Sequence, residues 1–154
     1  MTAYYLDTSA LIKHYVEEAG SAWLEAAAFA ADDVLILTSR VTIIEIQSAL
    51  ARRRREASLS PDLHEELLDS FREDCLTRYH FIEFELPVIE CAGQLVDRHP
   101  LRAYDAVQLA SALVAGRVLA DAALPLPVFL SADNDLLVVA QAEGLPTENP
   151  NLHP

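Results

Sequence analysis

The chain has 154 residues, of which 52% are hydrophobic, and its formal net charge is −13. This length and composition predict a single globular domain over residues 1–154 and exclude an intrinsically disordered chain. No apolar run approaches the roughly 20 residues that a membrane-spanning helix needs, and the first residues lack the basic start of a secretory signal, so we expect a cytoplasmic protein.

Strand-like and helix-like segments alternate along the whole chain. Short β-rich runs predict strands over residues 3–6, 34–39, 81–86 and 127–131. Apolar residues at helical spacing predict helices over residues 9–17, 20–31, 41–57, 61–79, 87–99, 102–122 and 134–143. Residues 148–154 are expected to form an irregular tail. The alternation predicts an α/β fold with a mainly parallel central sheet that helices flank on both faces.

The cysteines and histidines carry no recognisable site. Cys75 and Cys91 lack the spacing of a metal or redox motif, and we expect buried or half-buried thiols. The five histidines share no motif and are interpreted as structural or surface residues.

Four acidic residues lie in or just after apolar segments. Asp7 follows the first strand in YYLDTSAL, and Glu45 lies within VTIIEIQSAL. Asp105 lies within LRAYDAVQLASAL, and Asp133 follows the strand in PVFLSAD. A carboxylate withdrawn from water is costly unless it is paired, hydrogen-bonded or bound to a metal. Nearby candidate cations are few: Lys13, Arg40 and Arg102.

These acids would meet where open α/β folds bind ligands, at the carboxyl ends of parallel strands. Oxygen ligands without a His or Cys cluster suit Mg²⁺ or Mn²⁺ better than Zn²⁺. Each acid also has a simpler interpretation. Asp7 and Asp133 are possible helix caps, Glu45 fits the polar edge of its helix, and Asp105 and Asp135 are first-turn acids that the helix dipole favours. The residues alone leave both interpretations open.

The stretches LDTSALIK, VTIIEIQSAL, LRAYDAVQLASAL and FLSADNDLL, in this order and spacing, resemble a PIN domain. More narrowly they resemble the VapC-type toxins of prokaryotic toxin–antitoxin systems, and the resemblance extends from the first strand to ENP near the end. It implies a three-layer PIN-like fold and a metal-dependent ribonuclease. Four residues would be both catalytic and metal-binding: Asp7, Glu45, Asp105 and Asp133. Others would contact these acids or the substrate: Thr8, Ser9, Arg102, Ser131 and Asp135.

The reaction implied by the resemblance is hydrolysis of internal RNA phosphodiester bonds with one or two Mg²⁺ or Mn²⁺ ions, with Asp7 as the central ligand. Glu45 would bind a metal through water or orient the nucleophile. The basic run on the same helix, Arg52, Arg53, Arg54 and Arg55, is either a track for RNA phosphates or a solvated helix end.

The resemblance also implies an antitoxin partner and a homodimer. The antitoxin would lay a peptide with a basic side chain across the acidic cleft. The helix-rich segment 20–80 offers apolar residues for such a partner, although ordinary core packing is the favoured interpretation; they are Trp23, Leu24, Phe29 and Leu67.

Two other functions fit parts of this sequence. A catalytically silent module would use the same fold to bind RNA or a protein, but a pure binder gains nothing from clustered carboxylates. A phosphatase of the haloacid dehalogenase type is disfavoured because it needs a second aspartate two residues after Asp7, where this chain has Ser9.

Overall fold

The computed structural model describes residues 1–154 and is built around a five-stranded sheet. The strands are Thr2–Leu6 (β1), Val34–Ser39 (β2), His80–Ile82 (β3), Val128–Leu130 (β4) and Thr147–Glu148 (β5). The helices are Thr8–Tyr15 (α1), Ser21–Leu24 (α2), Val41–Arg55 (α3), Pro61–Thr77 (α4), Leu86–Arg98 (α5), Ala103–Asp121 (α6) and Asn134–Ala142 (α7). The strand order is β3-β2-β1-β4-β5, and every neighbouring pair is parallel.

Strand β1 lies at the centre of the sheet because both of its faces are apolar. Tyr5 and Leu6 are fully buried and, as successive residues of a strand, contact opposite faces. Tyr4 pairs with Ile36 of β2 on one side and with Val128 of β4 on the other. The carboxyl ends of β1 and β4 are therefore neighbours, and the residues that follow them are brought together.

Two apolar cores cover the two faces of the sheet, which confirms the predicted three-layer α/β fold. One core has 20 buried residues and packs α5, α6 and α7 on one face, where Tyr5 stacks on Phe129 with ring centroids 5.4 Å apart. The other has 14 buried residues and packs the remaining helices on the opposite face, around Leu6, Ile46 and Phe71. None of the helices combines the length and the apolar composition that a membrane span requires.

The predicted strand over residues 81–86 is only partly right. Strand β3 ends at Ile82, and α5 already begins at Leu86. Glu83 leaves the sheet edge to pair with Arg40 at 2.8 Å, and Phe84 is exposed. Alternation of apolar and acidic residues suggested a longer strand, but β3 lies at the edge of the sheet and no further strand extends its pairing.

The expected irregular tail instead completes the sheet. Strand β5 pairs with β4, and a 3₁₀ turn follows over Pro150–Leu152. The side chain of Asn149 accepts a hydrogen bond from the backbone N–H of Asn151 at 2.9 Å and donates one to Asn134 at 2.8 Å. A two-residue strand is too short to produce a recognisable periodicity, so no pattern in the sequence indicates it.

The predicted helix over residues 20–31 is divided into two types of turn. Helix α2 continues into a π-helical turn over Glu25–Phe29, which the N–H of Ala30 closes on the carbonyl oxygen of Glu25 at 2.8 Å. The apolar residues proposed above for a partner pack in the core: Leu24 is fully buried, and Trp23, Phe29 and Leu67 are partly buried.

Both cysteines are free thiols, as predicted. Cys75 is half-buried and Cys91 is buried.

Candidate active site

Asp7 lies at the carboxyl end of β1 and is 5% exposed. Its Oδ1 accepts hydrogen bonds from the backbone N–H of Ala10 at 2.9 Å and from the hydroxyl of Ser9 at 2.7 Å. Its Oδ2 accepts one from the hydroxyl of Ser131 at 2.5 Å. Asp7 therefore caps α1 and also lines the cleft described next, so the two interpretations of this residue are compatible.

Five acidic residues line one cleft of about 430 Å³. One is Glu18, and the other four are those that the sequence singles out: Asp7, Glu45, Asp105 and Asp133. They come from the end of β1, the middle of α3, the first turn of α6 and the residue that caps α7. Parallel strand order brings the first and last of these together, and the two flanking helices supply the others. The structure thus places together all four acids that the sequence singled out.

The acids influence one another electrostatically. Burial raises the pKa of Asp7 to about 6, against the lowering effect of its hydrogen bonds, and the charge of Asp105 adds to the rise. Burial also raises the pKa of Asp105, followed by the charges of Asp133 and Glu45, while Arg102 lowers it. The cleft therefore holds negative charge at a free-energy cost that a cation would relieve.

The degree of burial differs among the four acids. Asp7 is buried and Glu45 and Asp105 are half-buried, but Asp133 is exposed. The expectation that all four are withdrawn from water is therefore wrong for Asp133. This residue caps the surface end of α7, where its Oδ1 accepts hydrogen bonds from the N–H groups of Asp135 and Leu136 at 3.0 and 3.2 Å.

Hydroxyl groups connect the ends of β1 and β4. The Ser9 hydroxyl accepts a hydrogen bond from the N–H of Ala132 at 2.9 Å, and the Ser131 hydroxyl accepts one from the N–H of Asp133 at 3.1 Å. Because both serines also donate to Asp7, they fix that carboxylate in one orientation.

The other predicted neighbours of the acids divide between the cleft and an adjoining cavity. Thr8 lines the cleft and accepts a hydrogen bond from Gln108 at 3.3 Å. Arg102 and Asp135 line the adjoining cavity, which Asp105 and Asp133 also line, and do not line the cleft itself.

Gln108 is a central residue of the site that the sequence analysis missed. Its amide nitrogen donates to Glu45 at 2.8 Å and to Thr42 at 2.9 Å, and its oxygen accepts from the Tyr5 hydroxyl at 2.6 Å. The residue is 2% exposed. A signal was present: Gln108 lies one helical turn after Asp105 in an otherwise apolar helix, where a buried amide needs partners.

Basic residues line the side of the cleft formed by α1 and α3: Lys13, Arg52 and Arg53. Of the arginine run, Arg52 and Arg53 face the cleft, whereas Arg54 and Arg55 are exposed outside it. In the sequence, Lys13 is recognisable only as a nearby cation, and no pattern indicates that Glu18 lines the same cleft.

The oxygen atoms of the cleft suit a hard divalent cation. Asp105 accepts no hydrogen bond from the protein, and the hydrogen bonds of Glu45 and Asp133 each use one oxygen, so Oε2 and Oδ2 are left over. No three Asp, Glu, His or Cys side chains are grouped closely enough here to hold one ion. Carboxylate oxygens are donors that Mg²⁺ and Mn²⁺ prefer, so the side chains themselves fit either ion. For three of them to hold one ion, the carboxylates would have to move closer together.

Comparison with known proteins agrees with this architecture. A family model described as the PIN domain matches residues 4–142. Two curated relatives are Ribonuclease VapC45 of Mycobacterium tuberculosis strain CDC 1551 / Oshkosh and Ribonuclease VapC49 of strain ATCC 25618 / H37Rv. Each is 36% identical over 118 residues, which cover 75% of this chain and 78% of the relative.

Solved structures share the fold at low sequence identity. A toxin–antitoxin complex from Klebsiella pneumoniae matches with a TM-score of 0.62 and 17% identity, over 96% of this chain and 97% of the other. VapBC2 from Rickettsia felis, bound to a DNA fragment from their promoter, matches with a TM-score of 0.62 and 17% identity, over 96% and 98%. Since the family model covers most of the chain and the curated relatives exceed 30% identity, this chain belongs to the PIN domain family and, within it, to the VapC type.

Proposed function

We propose that the protein is a Mg²⁺- or Mn²⁺-dependent endoribonuclease that hydrolyses RNA phosphodiester bonds and acts as the toxin of a toxin–antitoxin pair. The observation that carries this proposal is the meeting of Asp7, Glu45, Asp105 and Asp133 in one cleft. The names of the two curated relatives, both ribonucleases, support the choice of RNA as the substrate.

The residues of the cleft have distinct parts in this proposal. Asp7 supplies a carboxylate whose position is fixed by Ser9 and Ser131. Gln108 orients Glu45, and Asp105 supplies oxygens that the protein leaves free. A bound divalent cation would lower the pKa of its water and stabilise negative charge on the phosphoryl oxygens.

Two solved neighbours and the acidic cleft support an antitoxin partner. The structural neighbour from Klebsiella pneumoniae is a toxin–antitoxin complex, and the neighbour from Rickettsia felis is a VapBC2 assembly. An acidic cleft in a chain of net charge −13 suits a partner segment with a basic side chain. We also propose a homodimer that acts in the cytoplasm on cellular RNA.

The nuclease proposal is tested with purified protein that carries no partner. Labelled single-stranded RNA and DNA of the same base sequence are incubated with Mg²⁺, Mn²⁺ or EDTA, and the products are separated on a denaturing gel. We expect internal cuts in RNA that require a divalent cation. RNA binding without cutting under any metal would instead support the catalytically silent module.

The toxin proposal is tested in cells. Induced expression of the chain should stop growth, and expression of an Asp105→Asn variant at the same level should not. Unimpaired growth with a soluble, active enzyme would contradict a toxin role while leaving the nuclease proposal intact.

A further inference from the structure

Lys13 is a buried cation, and most of its N–H donors have no partner in the protein. It lies on α1 with its side chain 4% exposed, and it lines the acidic cleft. Its ammonium donates to Oε1 of Glu18 at 3.0 Å, and no other protein acceptor lies within hydrogen-bond distance. Because an ammonium has three N–H donors, two remain without a protein partner.

Arg53 pairs with the same carboxylate as Lys13, that of Glu18. Its Nη2 is 3.5 Å from Oε2 of Glu18, and its Nη1 donates to the carbonyl oxygen of Ala49 at 3.3 Å. Glu18 thus bridges two cations that come from different helices, and all three residues line the cleft. The backbone of Glu18 is fixed by the hydrogen bond that its N–H donates to the Ser21 hydroxyl oxygen at 3.0 Å.

Lys13, Arg53 and Glu18 together carry one net positive charge. Burying such a group costs less free energy when an anion completes its hydrogen bonds. The ligand for which such a pair is suited is an anion that offers several oxygen acceptors. In a cleft whose other wall is acidic, a backbone phosphate meets this requirement, because its two free oxygens can accept from both cations.

We propose that Lys13 and Arg53, held together by Glu18, bind a backbone phosphate of the RNA strand next to the carboxylates. This inference rests on the proposed ribonuclease function and deepens it, because it places the strand beside α1 and α3 on one side of the carboxylates. Lys13 would be a substrate-binding residue, and Glu18 a positioning residue that keeps the two cations at one place.

The test compares Lys13→Met, Lys13→Arg and Arg53→Gln with a control, Arg72→Gln, which removes one exposed positive charge on α4 outside the cleft. Steady-state cleavage of a short single-stranded RNA gives kcat and KM. Fluorescence anisotropy with the same RNA in an Asp105→Asn background gives the dissociation constant at several salt concentrations.

For Lys13→Met and Arg53→Gln we expect KM and the dissociation constant to rise about tenfold with a much smaller change in kcat. The slope of log K against log salt should fall by about 0.7, the loss of one phosphate contact to a single strand. Lys13→Arg should recover most of the affinity, and Arg72→Gln should behave as the native protein.

An unchanged slope in both Lys13→Met and Arg53→Gln, or an equal loss in Arg72→Gln, would overturn the inference. Circular dichroism of every variant identifies unfolding, and Arg53→Gln carries the test if Lys13→Met does not fold. Failure of the native protein to cut or bind RNA would overturn the proposed function itself, which separates the two outcomes.

Discussion

At the scale of single residues, Asp7 combines a structural and a chemical role. Its carboxylate caps α1 through the N–H of Ala10 and also receives hydroxyl groups from Ser9 and Ser131. These hydrogen bonds favour the charged form, but burial outweighs them and raises the pKa of Asp7 to about 6. The residue is therefore kept ionised at neutral pH at a cost to stability.

This cost predicts how stability depends on pH. The pKa of Asp7 is 3.8 in the unfolded chain and about 6 in the folded one. Between these two pH values, Asp7 takes up a proton when the chain folds. Its stabilising contribution is present below the lower pKa and is lost as the pH rises through about 6. The effect of Asp7→Asn on the free energy of unfolding should therefore depend on pH in metal-free protein. The change that the substitution causes should be more favourable at about pH 8 than at about pH 4, by up to roughly 3 kcal/mol.

Urea denaturation in EDTA at several pH values measures this difference. Asp97→Asn, which also replaces one aspartate but on the exposed face of α5, is the matched control. A variant at position 7 whose relative stability does not change with pH would contradict the assignment of a raised pKa.

At the scale of elements, the C-terminal tail is held against the beginning of α2. Gly20 has a φ of 87°, a left-handed conformation that favours glycine. A Cβ at this position would overlap the carbonyl oxygen of Pro150. Nearby, Trp23 stacks on His153 with ring centroids 4.5 Å apart. The tail is thus a packed part of the fold, and Asn151 within it lines the cleft.

Gly20→Ala should lower the free energy of unfolding by about 2 kcal/mol or more, because it adds backbone strain and a steric overlap. Gly93→Ala is the control: Gly93 lies within α5 with open space around it, so alanine should raise stability by about 0.5–1 kcal/mol. Thermal or urea denaturation of both variants measures the effects, and equal effects of the same sign would refute the packing described here.

The strands, helices and turns also differ in how well the sequence predicts them. Strong periodicity over long segments predicted the major helices, and apolar runs that end on a polar residue predicted β1 and β4 and hence Asp7 and Asp133. Strand β5 and the π-helical turn have no local pattern, because they depend on contacts with distant parts of the chain. Lys13 and Gln108 were missed as site residues because their roles arise only when α1, α3 and α6 meet.

At the scale of the whole molecule, acidic residues outnumber basic ones by 24 to 11. The proposed RNA substrate is also a polyanion, so its attraction to the protein must be local. The basic side chains Lys13, Arg52 and Arg53 line the same cleft as the acids. A divalent cation would relieve the repulsion among the carboxylates, and binding to the folded state alone stabilises that state.

Millimolar Mn²⁺ or Mg²⁺ should therefore raise the melting temperature more than NaCl of equal ionic strength does. A concentration near 100 times the dissociation constant would add about 2.7 kcal/mol to the free energy of unfolding. The increase in melting temperature should be much smaller in Asp105→Asn, which removes one of the carboxylates. The native Asp105 carboxylate accepts no hydrogen bond from the protein, so its loss breaks none. Scanning calorimetry measures the shift, and equal stabilisation by Na⁺ and Mn²⁺ would indicate general screening instead of a bound ion.

The most direct test of the central claim, that the four carboxylates form a nuclease site, is the single-turnover rate of RNA cleavage in Mg²⁺ by the native protein, Asp105→Asn and Asp97→Asn. We predict that the native protein and Asp97→Asn cut at the same rate, and that Asp105→Asn, correctly folded, is slower by at least about a hundredfold. Undiminished cleavage by Asp105→Asn would contradict the assignment of this cleft as the active site.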